Sequence, residues 1–126
     1  MMYIYYDEKT DYLEVIEKKI QNYSIPLKNG IFKILSEKSK KVIGYGVENA
    51  STRFDDLTMF NPYVKLSIMI KISRLKHRYT QQQLAEKIGI GLLPYQRLES
   101  GGNNPTLKTL LKVKEVLDDI DLSKVA

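Results

Sequence analysis

The sequence predicts an α+β protein with two small modules, a four-stranded antiparallel β-domain over residues 1–62 and an all-α domain over residues 63–126. Three observations predict this arrangement. The first half contains short β-branched and aromatic runs separated by polar turns. The second half contains apolar residues at helical spacing together with helix-cap signals. The excess of positive charge also lies entirely in the second half.

Four runs in the first half have the composition of β-strands, over residues 2–6, 12–17, 31–36 and 42–47. The polar segment 7–11 is expected to join the first two runs as a hairpin, and the lysine-rich segment 37–41 to join the last two. Residues 18–29, which are largely polar and carry Pro26, are predicted to form a loop. A sheet this small has one face to bury against another element.

A junction and a first helix follow the β-domain. Residues 50–62 are interpreted as the junction, in which residues 53–60 form a short helix that ends at Asn61-Pro62. Residues 63–78 predict the first helix of the second module, because apolar residues recur there on one wide face. These residues are Leu66, Ile68, Met69, Ile72 and Leu75.

The most informative stretch predicts two short helices joined by a tight glycine turn. Thr80 and Gln83 have the spacing of a capping box, so a helix is expected to start at residue 81 and to end at Gly89. A second helix is expected over residues 92–100, before Gly101. Two short helices connected in this way form a helix-turn-helix. The inward-facing side chains of the second helix are expected to be Tyr95 and Leu98.

A fourth helix is expected after Thr106, whose hydroxyl can cap it. Residues 118–125 are then expected to form a last turn or a short helix. The fourth helix is predicted to bury Leu107, Leu110, Leu111 and Leu117.

Several motifs in residues 64–125 resemble those of the phage-repressor (Xre, Cro/C1) family. The matching residues are Gln81, Leu84-Ala85, Gly89, Leu98-Glu99-Ser100-Gly101 and Asn104-Pro105-Thr106-Leu107. The resemblance implies a five-helix domain whose third helix enters the major groove of DNA. It also implies a buried structural ion pair between Arg74 and Glu99, which we therefore exclude from the binding site.

The first half is similar to a small bacterial β-domain of unknown function, and this similarity implies no activity. The residues that carry it are Tyr6-Asp7-Glu8, Val42-Ile43-Gly44 and Glu48-Asn49-Ala50-Ser51.

Charge and composition narrow the class of protein. Residues 1–62 carry nine basic and nine acidic side chains, whereas residues 63–126 carry eleven and six, so 11 − 6 = +5. A basic surface attracts a phosphate backbone, although a solvated lysine-rich surface fits equally well. The absence of Cys, of an apolar run near ~20 residues and of a signal-peptide pattern predicts a cytoplasmic protein without a membrane partner.

Eight residues are expected to bind double-stranded DNA: Gln81, Gln82, Leu92, Leu93, Gln96, Arg97, Asn103 and Asn104. Arg97 can donate two hydrogen bonds to a guanine edge, and Gln96 can pair with adenine. At the position of Gln81 the family places a phosphate contact or a brace for a base-reading side chain. The alternative for Gln81 is an exposed amide without a ligand.

The predicted third helix departs from the family at its start. Gly91 stands where the family usually has Ser or Thr, and Leu92 and Leu93 stand where it has polar residues. Leucines can contact thymine methyl groups, but they cannot supply a donor–acceptor code. The loop 102–104 also lacks the cations that often contact phosphate. Either specificity is modest and apolar, or this surface binds a protein.

No group of residues predicts an enzyme, a cofactor or a metal site. His77, the only histidine, is interpreted as a surface residue. The acidic turn 7–11 lacks the glycine of a calcium-binding loop. Gly44-Tyr45-Gly46 lacks the third glycine of a dinucleotide fingerprint.

Two functions follow from these observations. The first is a sequence-specific, non-catalytic DNA-binding regulator that acts as a homodimer. Its favoured form is the antitoxin and autorepressor of a toxin–antitoxin pair, which binds its own promoter and a cognate toxin. The second is a protein-interaction module whose helix-turn-helix no longer reads DNA.

Overall fold

A computed structural model describes residues 2–101 and 104–125 of the chain. The chain divides into two compact units, one that runs up to Phe54 and one that starts at Asp55. This division falls inside residues 50–62, the segment interpreted as the junction. Within the described residues, no helix has both the length and the apolar character needed to cross a membrane.

The first unit is built on one antiparallel sheet with five strands in the order β1-β2-β5-β4-β3. The strands are β1 (Tyr3–Asp7), β2 (Tyr12–Ile16), β3 (Asn22–Lys28), β4 (Ile31–Ser36) and β5 (Val42–Val47). Leu13, Val15 and Val47 are fully buried in the central strands. Gly44 lies opposite Ile16, where an added Cβ would come within 2.1 Å of the Val15 carbonyl oxygen, so only glycine fits there.

The prediction of four strands was wrong because residues 22–28 form β3 rather than a loop. Tyr23, Ile25 and Leu27 alternate with polar residues as in a strand, but Pro26 interrupts the run, and proline within a run argues against a strand unless the strand lies at an edge. Pro26 is tolerated because β3 lies at the edge of the sheet, where a residue without an N–H can face away from the neighbouring strand.

Asp11 links the first hairpin to the segment that follows β5. Its carboxylate accepts hydrogen bonds from the Tyr6 hydroxyl at 2.6 Å, from the Ser51 N–H at 3.0 Å and from the Ser51 hydroxyl at 2.7 Å. Burial of Tyr6 and its hydrogen bond to Asp11 raise the pKa of the Tyr6 hydroxyl. The acidic hairpin turn therefore has a structural role in the first unit.

Over its described residues, the second unit contains four α-helices: α1 (Pro62–Lys76), α2 (Gln81–Ile88), α3 (Leu92–Leu98) and α4 (Leu107–Val116). Short 3₁₀ helices cover Ala50–Thr52, Phe54–Asp56 and Leu122–Val125. The expected fifth helix is thus a single 3₁₀ turn, because the segment after Val116 is short and rich in Asp, a poor helix former.

Helix α1 supplies more buried apolar residues to the second unit than any other helix within the described residues. Asn61 caps it by accepting a hydrogen bond from the Val64 N–H at 2.9 Å, and Pro62 occupies the first helical position. Asn61-Pro62 therefore begins this helix, rather than ending the preceding segment as predicted. Of the predicted apolar stripe, four residues are buried and Leu75 is half-buried. The four buried residues are Leu66, Ile68, Met69 and Ile72.

Helix α4 buries a narrower face than predicted. Val113 and Leu117 are buried, whereas Leu107 and Leu111 are 69% and 55% exposed. Leu110, Val113 and Leu117 follow one another at spacings of three and four residues and so share one face of the helix. Leu111 lies on another side, and Leu107 lies at the exposed first turn, so the prediction that both are buried was wrong.

Candidate nucleic-acid interface

Helix α2 has the capped start predicted from the sequence. The Thr80 hydroxyl accepts a hydrogen bond from the Gln83 N–H at 3.1 Å, and the Gln83 side chain accepts one from the Thr80 N–H at 2.9 Å. Gly89 ends the helix with φ +76°, a left-handed conformation that glycine adopts without steric cost. The buried residues of α2 are Leu84, Ala85 and Ile88.

Helix α3 begins after Gly91, whose backbone is extended and which offers no side-chain cap. Pro94 lies in the first turn, where a missing N–H is tolerated. Tyr95 and Leu98 are buried, as predicted, and the helix ends at Leu98 rather than near residue 100.

A buried polar cluster, formed by Arg74, Tyr95 and Glu99, lies at the end of α3. Arg74 Nε donates to Glu99 Oε2 at 2.6 Å and Arg74 Nη2 donates to Glu99 Oε1 at 3.1 Å, so the ion pair is bidentate. The Tyr95 hydroxyl also donates to Glu99 Oε2. The side chains of Arg74 and Glu99 are only 8% and 1% exposed. The cluster therefore holds the C-terminal end of α3 against α1.

The cluster also shifts the protonation equilibria of its members. Burial by itself lowers the pKa of Arg74, but hydrogen bonding and the charge of Glu99 outweigh it, so the net shift is upward. Burial raises the pKa of the Tyr95 hydroxyl, and the charge of Glu99 raises it further. Lys71 is not a member of the cluster, and its pKa is lowered by burial although the charge of Glu99 opposes this shift. Tyr95 and Arg74 thus keep their neutral and charged forms, respectively, at neutral pH.

A chain of hydrogen bonds runs from this cluster to the surface. Gln81 Nε2 donates to Glu99 Oε1 at 3.2 Å, and Gln96 Nε2 donates to Gln81 Oε1 at 3.2 Å. Gln81 is half-buried and Gln96 is exposed. The amide of Gln96 is therefore oriented by a side chain that is itself held by a buried carboxylate.

The outer face of α3 consists of Leu92, Leu93, Gln96 and Arg97, all of which are exposed. Leu92 and Leu93 are 37% and 62% exposed, so the start of this face is apolar. Arg97 and Gln96 make its second half polar and positively charged. The face can thus offer one guanidinium, one amide and two apolar side chains to a ligand.

The remaining predicted binding residues lie at other positions. Gln82 is exposed on α2, and its Nε2 donates to Glu86 Oε1 at 3.0 Å. Asn104 is exposed in the segment before α4. Asn103 lies outside the described residues. Within the described residues, no hydrogen bond or ion pair joins Gln82 or Asn104 to the outer face of α3.

Ser67 positions the end of α3, and sequence reasoning did not identify it. Its buried hydroxyl donates to the Leu98 carbonyl at 2.6 Å and accepts from the Gly101 N–H at 3.0 Å. The available signal was a small polar residue inside the otherwise apolar stripe of α1, because a buried hydroxyl requires a hydrogen-bond partner.

His77 lies near two carboxylates at the end of the chain. Its Nε2 is 3.7 Å from Asp118 Oδ1, and its Nδ1 is 3.9 Å from Asp119 Oδ1. The Asp118 side chain is 87% exposed, and Asp119 Oδ1 accepts a hydrogen bond from the Ser73 hydroxyl at 2.5 Å. His77 Nδ1 also lies 2.8 Å from the Ser73 carbonyl oxygen. Exposed carboxylates beside a histidine are common without a bound cation, so this group carries no metal assignment.

Comparisons with known proteins agree with this geometry. Residues 70–125 match the model of a family described as helix-turn-helix (HTH_3). The chain is also 44% identical over 39 residues to the cryptic phage CTXphi transcriptional repressor RstR of Vibrio cholerae serotype O1. The aligned segment is 31% of this chain and 35% of that protein. The chain thus matches about a third of that relative's length.

No solved structure matches the chain. The family match nevertheless includes the capped helix α2, the glycine turn and all of α3. Residues 70–125 are therefore similar to helix-turn-helix domains, and the structure gives this segment the two short helices and the glycine turn of that motif.

Proposed function

We propose that this protein is a DNA-binding transcriptional regulator in which the outer face of α3 reads base edges in the major groove. The observation that carries the proposal is the position of Gln96 and Arg97. Both side chains are exposed on the second helix of the helix-turn-helix, while the opposite side of the helix is held by buried contacts. In this motif the second helix lies in the major groove.

Each exposed side chain has a defined task in the proposal. The planar guanidinium of Arg97 can donate two parallel hydrogen bonds to O6 and N7 of a guanine. The Gln96 amide can pair with N6 and N7 of an adenine, and Gln81 limits the orientations of that amide. Leu92 and Leu93 contact thymine methyl groups. Specificity would then come from two polar side chains and an apolar patch.

Contacts to phosphate supply affinity in this proposal. Hydrogen bonds to backbone phosphates come from the side chains of Gln82, Asn103 and Asn104. The net charge of +5 in residues 63–126 attracts the duplex. Because phosphate contacts release counterions, affinity should fall steeply as salt concentration rises.

The biological role we favour is that of a non-catalytic autorepressor and antitoxin in a toxin–antitoxin pair. The two-unit organisation supports it, because the helical unit can bind DNA while the β-unit remains available for a cognate toxin. A cytoplasmic homodimer fits this role, since one such module contacts only a short half-site and two copies match a palindromic operator.

A titration of the full chain against the DNA upstream of its own gene tests the proposal. We expect a protected footprint on this fragment, weaker binding to a shuffled fragment of equal composition, and a linear fall of log affinity with log salt concentration. Equal affinity for both fragments at every salt concentration would show that α3 does not read sequence.

The apolar start of α3 favours a second candidate function, a protein-interaction module. Leu93 is 62% exposed beside the exposed Leu92, and polar residues usually occupy these positions in the family. A filter-binding assay at low salt separates the candidates. No retention of DNA, together with loss of a co-purifying protein when Leu93→Ser is introduced, would favour the second function over the first.

A further inference from the structure

The strand β3 forms an edge of the sheet whose protection against pairing with another strand is confined to its C-terminal end, at Pro26 and the irregularity that follows it. All seven of its residues are exposed, and residues 20–27 carry no charged side chain. Edge strands in soluble proteins are commonly protected along their length by charged residues, proline or β-bulges, or are covered by another element. On β3, Tyr23, Ile25 and Leu27 are instead 38%, 39% and 43% exposed.

The direction of the backbone groups of β3 follows from its pairing with β4. The Glu37 N–H donates to the Gln21 carbonyl at 3.0 Å, so the backbone of residue 21 points toward β4. Backbone groups alternate in direction along a strand, and the register is continuous from Asn22 to Pro26. The backbone groups of Asn22, Ser24 and Pro26 therefore point toward the free edge. That edge offers the N–H groups of Asn22 and Ser24.

The position of Pro26 selects the kind of strand that fits this edge. Consider a second copy of β3, antiparallel to the first, with a two-fold axis at Ser24. Ser24 then faces Ser24 of the second copy, and this pair exchanges two hydrogen bonds. Asn22 faces Pro26 of the second copy, so each Asn22 N–H meets a proline carbonyl. Both outward N–H groups, those of Asn22 and Ser24, then donate to the second copy. Because Pro26 has no N–H, the carbonyl of the Asn22 that faces it is the one outward group of residues 22–26 that receives no hydrogen bond.

The side chains agree with the same register. Tyr23 lies opposite Ile25 of the second copy, and Ile25 lies opposite its Tyr23, on one face of the combined sheet. These are non-hydrogen-bonded pairs, in which side chains approach most closely. Pairs of an aromatic and a β-branched residue are favourable across antiparallel strands. Self-pairing thus covers two of the exposed apolar side chains of β3.

We propose that β3 is the homodimer interface of this protein, with the two copies joined into one continuous ten-stranded antiparallel sheet. This inference rests on the proposed function in one respect, namely that the regulator acts as a homodimer. It adds the surface, the register and the axis of the dimer.

Cysteine cross-linking tests the register directly, because the native chain contains no Cys. In the proposed dimer the Cα atoms of the two Ser24 residues are about 5.5 Å apart, within the range of a disulfide. The two Asn22 residues are four positions out of register, on the order of 13 Å apart. After mild oxidation of the full chain, Ser24→Cys should give a covalent dimer on a non-reducing gel, whereas the matched variant Asn22→Cys should stay monomeric. Cross-linking of both variants to the same extent, or of neither, overturns the proposal.

Sedimentation equilibrium supplies an independent test with a matched pair of variants. Ile25→Lys places a charge in each of the two Tyr23–Ile25 pairs and should raise the dissociation constant of the dimer about tenfold or more. Tyr5→Lys changes a residue of similar exposure, 45%, on β1 at the opposite edge and should leave the dimer unchanged. Circular dichroism checks that both variants keep the native fold.

Failure of this inference is distinguishable from failure of the proposed function. If the wild-type chain binds its upstream DNA but is monomeric, or if Ile25→Lys leaves dimerisation unchanged, the interface is wrong and the DNA-binding proposal stands. If Ile25→Lys abolishes dimerisation but the wild-type chain ignores DNA, the interface stands and the function is wrong.

Discussion

Helix α3 is only seven residues long, yet its inner and outer sides differ in chemistry. On the inner side, Tyr95 is fully buried and bonds Glu99, which pairs with Arg74. On the outer side, Gln96 and Arg97 are exposed. Removing the partner of a buried polar group lowers the free energy of unfolding, because the remaining group stays buried without a hydrogen bond. An exposed polar group can form a hydrogen bond with water instead. Substitutions on the inner side should therefore change stability, and those on the outer side should change binding.

The largest expected effect is on the inner side. Glu99→Ala leaves the Arg74 guanidinium buried without its counter-charge, so the free energy of unfolding should fall by about 3–5 kcal/mol. Urea unfolding followed by circular dichroism measures the change. Glu86→Ala, which removes an exposed carboxylate on α2, is the matched control and should cost less than about 0.5 kcal/mol. Equal costs for the two variants would mean that the buried cluster does not stabilise the domain.

Tyr95→Phe tests the same cluster through pH. It removes one hydrogen bond to Glu99 and should cost about 1–3 kcal/mol at pH 7. Because the folded-state pKa of Tyr95 lies above its ordinary value of 10.0, its contribution is fully present below pH 10 and is lost as pH rises above it. The stability difference between wild type and Tyr95→Phe should therefore shrink between pH 9 and pH 11. A difference that stays constant over this range would contradict the assignment.

Gln81→Ala tests the connection between the two sides. Gln81 bonds both Glu99 and Gln96, so its loss should lower affinity for the upstream DNA by about 1 kcal/mol while stability falls by about 0.5 kcal/mol. Gel-shift titration and urea unfolding measure these quantities. Gln82→Ala, one residue away, removes an exposed amide that donates to Glu86 and that we assign to a phosphate. It should weaken binding to the upstream and the shuffled fragments alike, whereas Gln81→Ala should weaken binding to the upstream fragment more. If Gln81→Ala leaves affinity unchanged, Gln81 does not position Gln96.

The sequence was most informative where local chemistry determines structure. The capping box of Thr80 and Gln83, and the left-handed Gly89, depend on residues close in the chain, so the limits of α2 could be predicted. The start of α3 and its inward residues followed from the same pattern. Strand β3 was missed because Pro26 interrupts an otherwise alternating run, and proline is compatible with a strand only at a sheet edge, which the sequence alone does not identify.

The chain of hydrogen bonds from Glu99 through Gln81 to Gln96 was only partly predictable. The family resemblance implied the Arg74–Glu99 pair and a brace at Gln81. The hydroxyl contacts of Ser67 and the bond from Gln81 to Glu99 depend on how helices distant in sequence pack together. For the same reason, the approach of His77 to Asp118 gave no local signal, since 41 residues separate them.

The most direct test of the central claim is the affinity of Arg97→Ala for the DNA upstream of the gene, compared with wild type and with Lys38→Ala. Lys38 is exposed in the turn between β4 and β5, so its removal matches the change in net charge. Arg97→Ala should lose about 1–3 kcal/mol of binding free energy on this fragment, lose little on a shuffled fragment, and keep wild-type stability. An affinity and a footprint identical to those of wild type and Lys38→Ala would show that the outer face of α3 does not read DNA.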